Sequence, residues 1–436
     1  MPLQISFLTH EVIGSEDCLY LNVFAKKLQS AEPLPVMVYL YGGAFKTGEA
    51  TRTIYAPDYF MIKDVILVTL NYRLGALGFL SLKDRSLQVP GNAGLKDQIL
   101  ALKWVKQYIS YFNGDSNNIT LFGNSSGSCC THYMMSTKQT RGLFHKAIPM
   151  SGDMLSFWSD TPQADRGYRL AQRTGYKGDN IDNQVFDHLH KLPPQQLIGH
   201  SLLTEAERHK DHCFDFAPTI ETYVGEDCVI PKPPEQMVRE AWSHDIPVML
   251  GGTSFEDEQT KKYPQKLIET HFIDNDTHYK KIINFLDYYS FTMFWHGTFR
   301  SLNARLNYAT APTYFYRFAY DSPEFNLYRK KFCGDYIKQG VCHADDLSYI
   351  FGSFRGWKLD RASNEFRTIQ RMIGIFTAFA RNSSPNCPEI KHLNWQPAQR
   401  SQPQRVVNIS DYVGIIALPE YSKLMVWESM YNISSL

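Results

Sequence analysis

The sequence predicts an α/β fold whose central sheet is mostly parallel and is covered by helices on both faces. Three observations support this: short continuous apolar runs, helical spacing of apolar residues between them, and a serine set between glycines directly after one run. A strand buried on both faces has no polar side, so it appears as an unbroken apolar run. Alternation of such runs with helices is typical of parallel sheets.

The first half of the chain supplies three strands and a helix. Residues 18–23 alternate like a strand, whereas residues 36–40 and 65–70 are apolar throughout. Apolar side chains then recur at helical spacing, at Leu95, Ile99, Leu102, Val105 and Ile109. This period predicts an amphipathic helix that packs on the sheet.

The second half resumes the sheet after a long interruption. Residues 146–151 predict a short strand, and residues of about 155–245 are irregular and helical without a clear strand. Strands follow at 246–250 and 313–318. We therefore expect a single domain over residues 1–436, with a helical cap formed by about 155–245.

The strand that precedes Ser125 ends in an unusual turn. Residues 118–128 read Asn-Ile-Thr-Leu-Phe-Gly-Asn-Ser-Ser-Gly-Ser, so Ser125 has glycine two positions away on each side. This pattern is typical of a nucleophilic serine on a strained strand-to-helix turn. Glycine–serine clusters also mark plain loops, so the motif alone leaves both interpretations open.

A second glycine-rich turn, residues 41–45, follows the strand at 36–40. A turn of this kind can cradle a phosphate, but neither a following lysine–serine pair nor a G-x-G-x-x-G spacing is present. The alternative is an oxyanion hole, with the N–H groups of Gly43 and Ala44 directed into the site. The N–H of Ser126, next to the proposed nucleophile, is the third candidate donor.

Serine chemistry requires a base and an acid that holds the base in place. The order serine, acid, histidine, with each residue on a loop after a strand, is met by Ser125, Glu256 and His343. The chain has fourteen histidines, and only a family resemblance singles out His343 among them. Asp257 and Glu258 are rival acids beside Glu256. Two more are Asp345 and Asp346, which lie close to His343 in sequence and are expected instead to cap the following helix.

Composition excludes several other function classes. The 45 Lys and Arg residues balance 44 Asp and Glu, so neither nucleic acid nor an anionic membrane is an expected partner. No apolar run is long enough to span a bilayer, and the start lacks the features of a signal peptide. We expect a cytoplasmic protein, or a secreted one if a signal peptide precedes this start. The aromatic fraction of 14% suits both a core and an apolar pocket.

Cysteine spacing does not favour a disulfide scaffold or a metal site. Eight cysteines in 436 residues are too few for a disulfide framework. The pairs Cys129-Cys130-x-His132 and Cys342-His343 lack a second half at zinc-site spacing. We expect no metal and no organic cofactor.

Six segments together resemble the type-B carboxylesterase and cholinesterase family, and within it the insect α-esterases: residues 16–23, 41–45, 71–79, 91–96, 123–127 and 340–347. The similarity covers most of residues 14–436. It implies an α/β-hydrolase fold, with Ser125 as nucleophile, Glu256 as acid and His343 as base. It also implies Gly43, Ala44 and Ser126 as oxyanion donors. Trp158 matches an aromatic wall of the acyl pocket, although a tryptophan packed in the cap is an equally good interpretation.

The chain departs from this family in four respects. Asn124 stands where the family usually has Glu, Asp257 where it has Gly, and Ala44 where it has the third oxyanion-loop Gly. The family also has a longer segment before Glu16, including a cysteine that pairs with the one at Cys18, and a longer stretch at about residues 265–280. We therefore expect a chain shortened at its start and in this interval.

The function expected from the sequence is hydrolysis of carboxylic esters through an acyl-enzyme. The resemblance implies neutral, fairly apolar small-molecule esters as substrates, organophosphates as covalent inhibitors, and a role in detoxification. The alternatives are a catalytically impaired or non-enzymatic binding member of the same fold, and a poorly folded product without independent function.

Overall fold

The structure is a computed structural model that describes residues 1–162, 165–208, 213–256, 290–334, 340–352 and 359–431. Its strands are β1 Gln4–Ile5, β2 Val12–Ile13, β3 Leu21–Ala25, β4 Leu34–Leu40, β5 Ile66–Leu70, β6 Gly114–Asn124, β7 Lys146–Met150, β8 Val248–Thr253, β9 Thr313–Phe318, β10 Arg405–Ile409 and β11 Gly414–Ala417. Its α-helices are α1 Gly75–Phe79, α2 Ala93–Tyr108, α3 Ser126–Ser136, α4 Arg166–Arg173, α5 Asp182–His190, α6 Glu205–Arg208, α7 Pro234–Arg239, α8 His296–Tyr308, α9 Leu327–Cys333, α10 Asn364–Asn382 and α11 Tyr421–Tyr431.

Across the described residues, nine strands form one sheet in the order β11-β10-β9-β8-β7-β6-β4-β5-β3. All pairings from β10 to β5 are parallel, and only the edge strands β3 and β11 pair antiparallel. Every residue of β4, β5 and β7 is buried. The predicted α/β-hydrolase fold with a mostly parallel, doubly covered sheet is therefore confirmed.

The predicted elements are present, with shifted ends. The strand expected at 18–23 is Leu21–Ala25, and the one expected at 246–250 is Val248–Thr253. The helix expected from the spacing of Leu95 to Ile109 is Ala93–Tyr108. The strand expected at 36–40 begins two residues earlier, at Leu34, and includes Pro35. Strand ends are set by pairing with neighbours, which a local pattern does not contain.

One apolar cluster extends through the sheet and the helices on both of its faces. A second, which we call the satellite cluster, consists of six buried side chains, with α4 and α5 contributing most of them: Ala76, Leu170, Ala171, Val185, Leu189 and Leu202. Trp158 belongs to the main cluster. The core therefore continues from the sheet into the base of the expected cap.

Within the expected cap, the described residues between 155 and 245 form helices and no strand of the sheet. The single-domain organisation with this cap stays a prediction. Asp257, Glu258 and the interval at about 265–280, which we expected to be shortened, lie outside the described residues. In the part of the chain that the structure describes, no helix is long and apolar enough to cross a membrane.

Candidate active site

Ser125 occupies the turn between β6 and α3. Its backbone has φ +59° and ψ −127°, a conformation that is strained for any residue but glycine. A Cβ on Gly127 would lie 2.1 Å from the carbonyl oxygen of Leu40, so this position has no room for a side chain. The turn thus has the expected strand-to-helix geometry, and it lifts Ser125 into a cavity at the carboxyl end of the sheet.

Glu256 and His343 form a buried pair beside this turn. Glu256 Oε2 lies 2.8 Å from His343 Nδ1, and the two residues are 1% and 4% exposed. The His343 ring also stacks on Phe294, with 4.3 Å between ring centroids. A carboxylate at Nδ1 fixes the imidazole so that Nε2 is available as a base. His343 and Ser125 line the same cavity.

Glu256 makes three further hydrogen bonds, two through its second carboxylate oxygen and one through its backbone N–H, with groups that sequence reasoning missed. Ser151 Oγ and the Thr253 N–H each donate to Glu256 Oε1 at 2.6 Å, and Ser290 Oγ accepts from the Glu256 N–H at 2.7 Å. Ser151 has φ +50° and follows β7 directly. Because β7 is the parallel neighbour of β6, its carboxyl end faces the same site as Ser125. The signal available in the sequence was the position of Ser151 at the end of the strand predicted at 146–151.

The glycine-rich turn after β4 lies against Ser125. Gly43 and Ala44 line the cavity together with Ser125, and Ala44 has φ +56°. Ser126 is the first residue of α3, where amide groups lack an intrahelical acceptor. It is fully buried, and its hydroxyl accepts a hydrogen bond from the Phe45 N–H at 3.4 Å. The structure therefore brings the candidate donors from two turns together: Gly43 and Ala44 line the same cavity as Ser125, and Ser126 follows Ser125 directly.

The cavity has a volume of about 270 Å³ and is lined mainly by apolar and aromatic side chains. Among the described residues that line it, none is Asp, Glu, Lys or Arg. Trp158 lies in this wall and also packs edge-on against Phe214 and Phe294, while its indole N–H donates to the carbonyl of Met293. Trp158 thus lines the cavity and is also packed against its neighbours, while its role as a wall of the acyl pocket stays a prediction.

Phe7 also lines the cavity, and sequence reasoning did not predict this. It follows β1, and the ammonium group of Lys331 lies 3.9 Å from the centre of its ring. Asn124 also lines the cavity at the position that the family usually fills with Glu. Its side-chain amide nitrogen is buried and has no hydrogen-bond partner among the described residues. The replacement thus leaves the site without a carboxylate at this point.

The two aspartates after His343 do not have the role expected from the sequence. Asp345 Oδ1 accepts from the N–H groups of Tyr328 and Arg329, at 3.0 and 3.1 Å, in the first turn of α9. It therefore caps the helix that precedes it in sequence, and the prediction that it caps the following helix is wrong. Asp346 is fully buried, and neither carboxylate oxygen has a hydrogen-bond partner among the described residues.

The chain is similar to known proteins both in sequence and in structure. The model of the carboxylesterase family matches residues 2–270 and 255–415. Esterase B1 of Culex pipiens is 35% identical over 97% of this chain and 85% of its own length, and juvenile hormone esterase of Tribolium castaneum is 29% identical over 92% and 75%. The crystal structure of juvenile hormone esterase from Manduca sexta, with OTFP covalently attached, aligns with a TM-score of 0.78 at 25% identity, over 96% of this chain and 84% of that one. On both sequence and structure, the chain belongs to the carboxylesterase family.

Proposed function

We propose that this carboxylesterase cleaves neutral, apolar esters through an acyl-enzyme on Ser125, with His343 as base and Glu256 as acid. The observation that carries the proposal is the 2.8 Å contact between Glu256 and His343 at the edge of the cavity that Ser125 enters. A buried carboxylate beside an imidazole, next to a serine in a strained turn, is the arrangement that nucleophilic serine chemistry needs.

The reaction proceeds in two halves. Ser125 Oγ attacks the ester carbonyl while its proton passes to His343 Nε2, and the N–H groups of Gly43, Ala44 and Ser126 bind the resulting oxyanion. The carbon–oxygen bond to the alcohol then breaks, and His343 returns the proton to the departing alcohol. A water attacks the acyl-enzyme by the same route, releasing the acid and restoring Ser125.

The cavity wall supports the choice of substrate. With no Asp, Glu, Lys or Arg among the described lining residues, a charged acyl or alcohol group would lose its hydration without gaining a partner. Aromatic and aliphatic walls instead favour apolar groups. Organophosphates present a phosphorus centre to the same nucleophile, so we propose them as covalent inhibitors. We also propose a role in detoxification, because a cavity whose described walls are mainly apolar suits many different apolar esters.

Intact-protein mass spectrometry after exposure to a fluorophosphonate tests the assignment. We expect one phosphonyl adduct on the parent protein and none on Ser125→Ala. Hydrolysis of a p-nitrophenyl ester should fall at least about a thousandfold in that variant, because the nucleophile is lost. Ser159→Ala, which removes a buried hydroxyl bound to the Met154 carbonyl, is the matched control and should keep both properties. An adduct or unchanged turnover in Ser125→Ala would contradict the proposal.

A further inference from the structure

Gln4, in strand β1, has a fully satisfied buried side chain. It is 2% exposed. Its Oε1 accepts from the Gly48 N–H at 2.6 Å and from the Thr47 hydroxyl at 2.7 Å, while Nε2 donates to the Gly48 carbonyl at 2.7 Å and the Pro2 carbonyl at 3.2 Å. A glutamine amide has two donors and two acceptor sites, and all four are used.

Gln4 thus binds both backbone groups of Gly48, as a neighbouring strand would. Burial makes these bonds costly to lose, because an unpaired buried amide or carbonyl is destabilising. The hydroxyl of Thr47 lies 3.3 Å from the Ile5 carbonyl as well, so β1 contacts the segment 47–48 at two successive residues. Strands β1 and β2 pair antiparallel, and we call them the N-terminal hairpin. This hairpin is therefore hydrogen-bonded to the segment 47–48.

Residues 47 and 48 end the turn that begins with the candidate oxyanion donors. The carbonyl of Gly43 accepts from the N–H groups of Lys46 and Thr47, at 3.1 and 3.0 Å. Gly43 has φ +133°, and a Cβ there would lie 1.9 Å from the Thr47 carbonyl oxygen. Because Gly43 and Thr47 are in such close contact, a displacement of Thr47 shifts the two peptide groups that carry the N–H groups of Gly43 and Ala44.

We propose that Gln4 is a positioning residue for the oxyanion hole. This rests on the function proposed above, and Gln4 acts through Thr47 and Gly48 without lining the cavity itself. Oxyanion donors act only when they are aimed at the position of the developing charge, so a small shift of the turn costs transition-state binding more than substrate binding.

Gln4→Leu keeps the approximate volume but removes all four hydrogen bonds. With rates expressed per fluorophosphonate-titrated site, we expect kcat to fall about 10-fold or more while KM changes less than about threefold. An alkyl trifluoromethyl ketone forms a covalent tetrahedral adduct with Ser125 that carries an oxyanion. Its affinity should therefore fall in Gln4→Leu by the same factor as kcat/KM. Its methyl ketone analogue, bound as the free carbonyl, should bind almost as before.

Gln4→Glu provides a second test, because a glutamate side chain has nearly the same shape as glutamine. A protonated carboxyl both donates and accepts, as the amide does, whereas the carboxylate repels the Gly48 carbonyl. The ratio of variant to parent kcat should therefore rise several-fold as pH falls from 8 to 5.5, even though both rates fall. Gln107→Glu, at an exposed position of α2, is the control and should give a ratio that does not change with pH.

The outcomes separate this inference from the assignment of the nucleophile. If the parent is labelled at Ser125 and hydrolyses ester, yet both Gln4 variants retain kcat per titrated site and the inhibitor affinity, Gln4 has no positioning role and the inference is wrong. A lower yield of titratable protein with unchanged kcat per site would likewise show a purely structural role. If the parent is not labelled at Ser125, it is the proposed function that fails.

Discussion

At the scale of single residues, Ser151 contacts Glu256, the proposed acid, rather than Ser125, the proposed nucleophile. Its hydroxyl gives Glu256 one of two close hydrogen bonds on the oxygen that faces away from His343. A hydrogen bond to a charged group contributes roughly 1.5–3 kcal/mol. We expect Ser151→Ala to lower kcat about 10-fold or more with little change in KM, measured per titrated site. Ser159→Ala is again the control, and equal rates in the two variants would show that Ser151 does not act on the reaction.

Asp346 makes the stability of the protein depend on pH. Burial, and then the nearby Glu256, raise the pKa of Asp346 to about 7, whereas His343 acts in the opposite direction. Asp346 in turn raises the pKa of the buried side chains Tyr316 and Tyr39. Because the folded-state pKa lies above the ordinary value of about 3.9, the native protein binds more protons between about pH 4 and 7. Its stability therefore falls as pH rises through this window, by at most about 4 kcal/mol.

Asp346→Asn removes this titration without changing the shape of the side chain. We expect the variant and the parent to have similar Tm values near pH 4, and the variant to be increasingly more stable up to about pH 8. Thermal unfolding across this range measures the difference. Asp187→Asn, at an exposed position of α5, serves as control and should leave the profile unchanged. A constant Tm difference at all pH values would mean that Asp346 does not titrate in this window.

At the scale of elements, the N-terminal hairpin forms part of the cavity wall through Phe7. Replacing this ring by a methyl group enlarges the cavity on the side of the hairpin and α9. We expect Phe7→Ala to raise kcat/KM for a bulky naphthyl ester relative to a methyl ester by about fivefold or more. Phe157→Ala, which removes a 42% exposed ring next to Trp158, should leave the ratio unchanged. An unchanged ratio in Phe7→Ala would remove Phe7 from the substrate-binding wall.

Some elements of the fold could be predicted from the sequence, whereas others could not. Strands β4, β5 and β7 are recognisable because burial on both faces leaves an apolar run, and the turn at Ser125 because its sterics require glycine. The hairpin of β1 and β2 has two residues per strand, too few for a period. Its importance lies in contacts with residues about 40 positions away. Capping of α9 by Asp345 was missed for the same reason, since the contact is tertiary.

At the scale of the whole molecule, the two apolar clusters predict unequal stability. Helices α4 and α5 pack on the six-residue satellite cluster, whereas α3 is buried over its whole length in the main one. Regions with few buried apolar contacts open at lower free energy than the core. We expect backbone amides of α4 and α5 to exchange with deuterium at least about a hundredfold faster than those of α3, which serves as the internal control. Equal protection would mean that the cap opens only with global unfolding.

This opening should not reach the site. Trp158, which lies in the sequence of the expected cap, belongs to the main cluster, and Phe214 packs against that cluster. The cavity wall therefore depends on the core of the sheet and not on α4 or α5. We expect a urea concentration that already accelerates exchange in α4 and α5 to leave both fluorophosphonate labelling of Ser125 and ester hydrolysis unchanged. Loss of labelling in parallel with exchange of these helices would instead mean that α4, α5 and the candidate active site unfold as one cooperative unit.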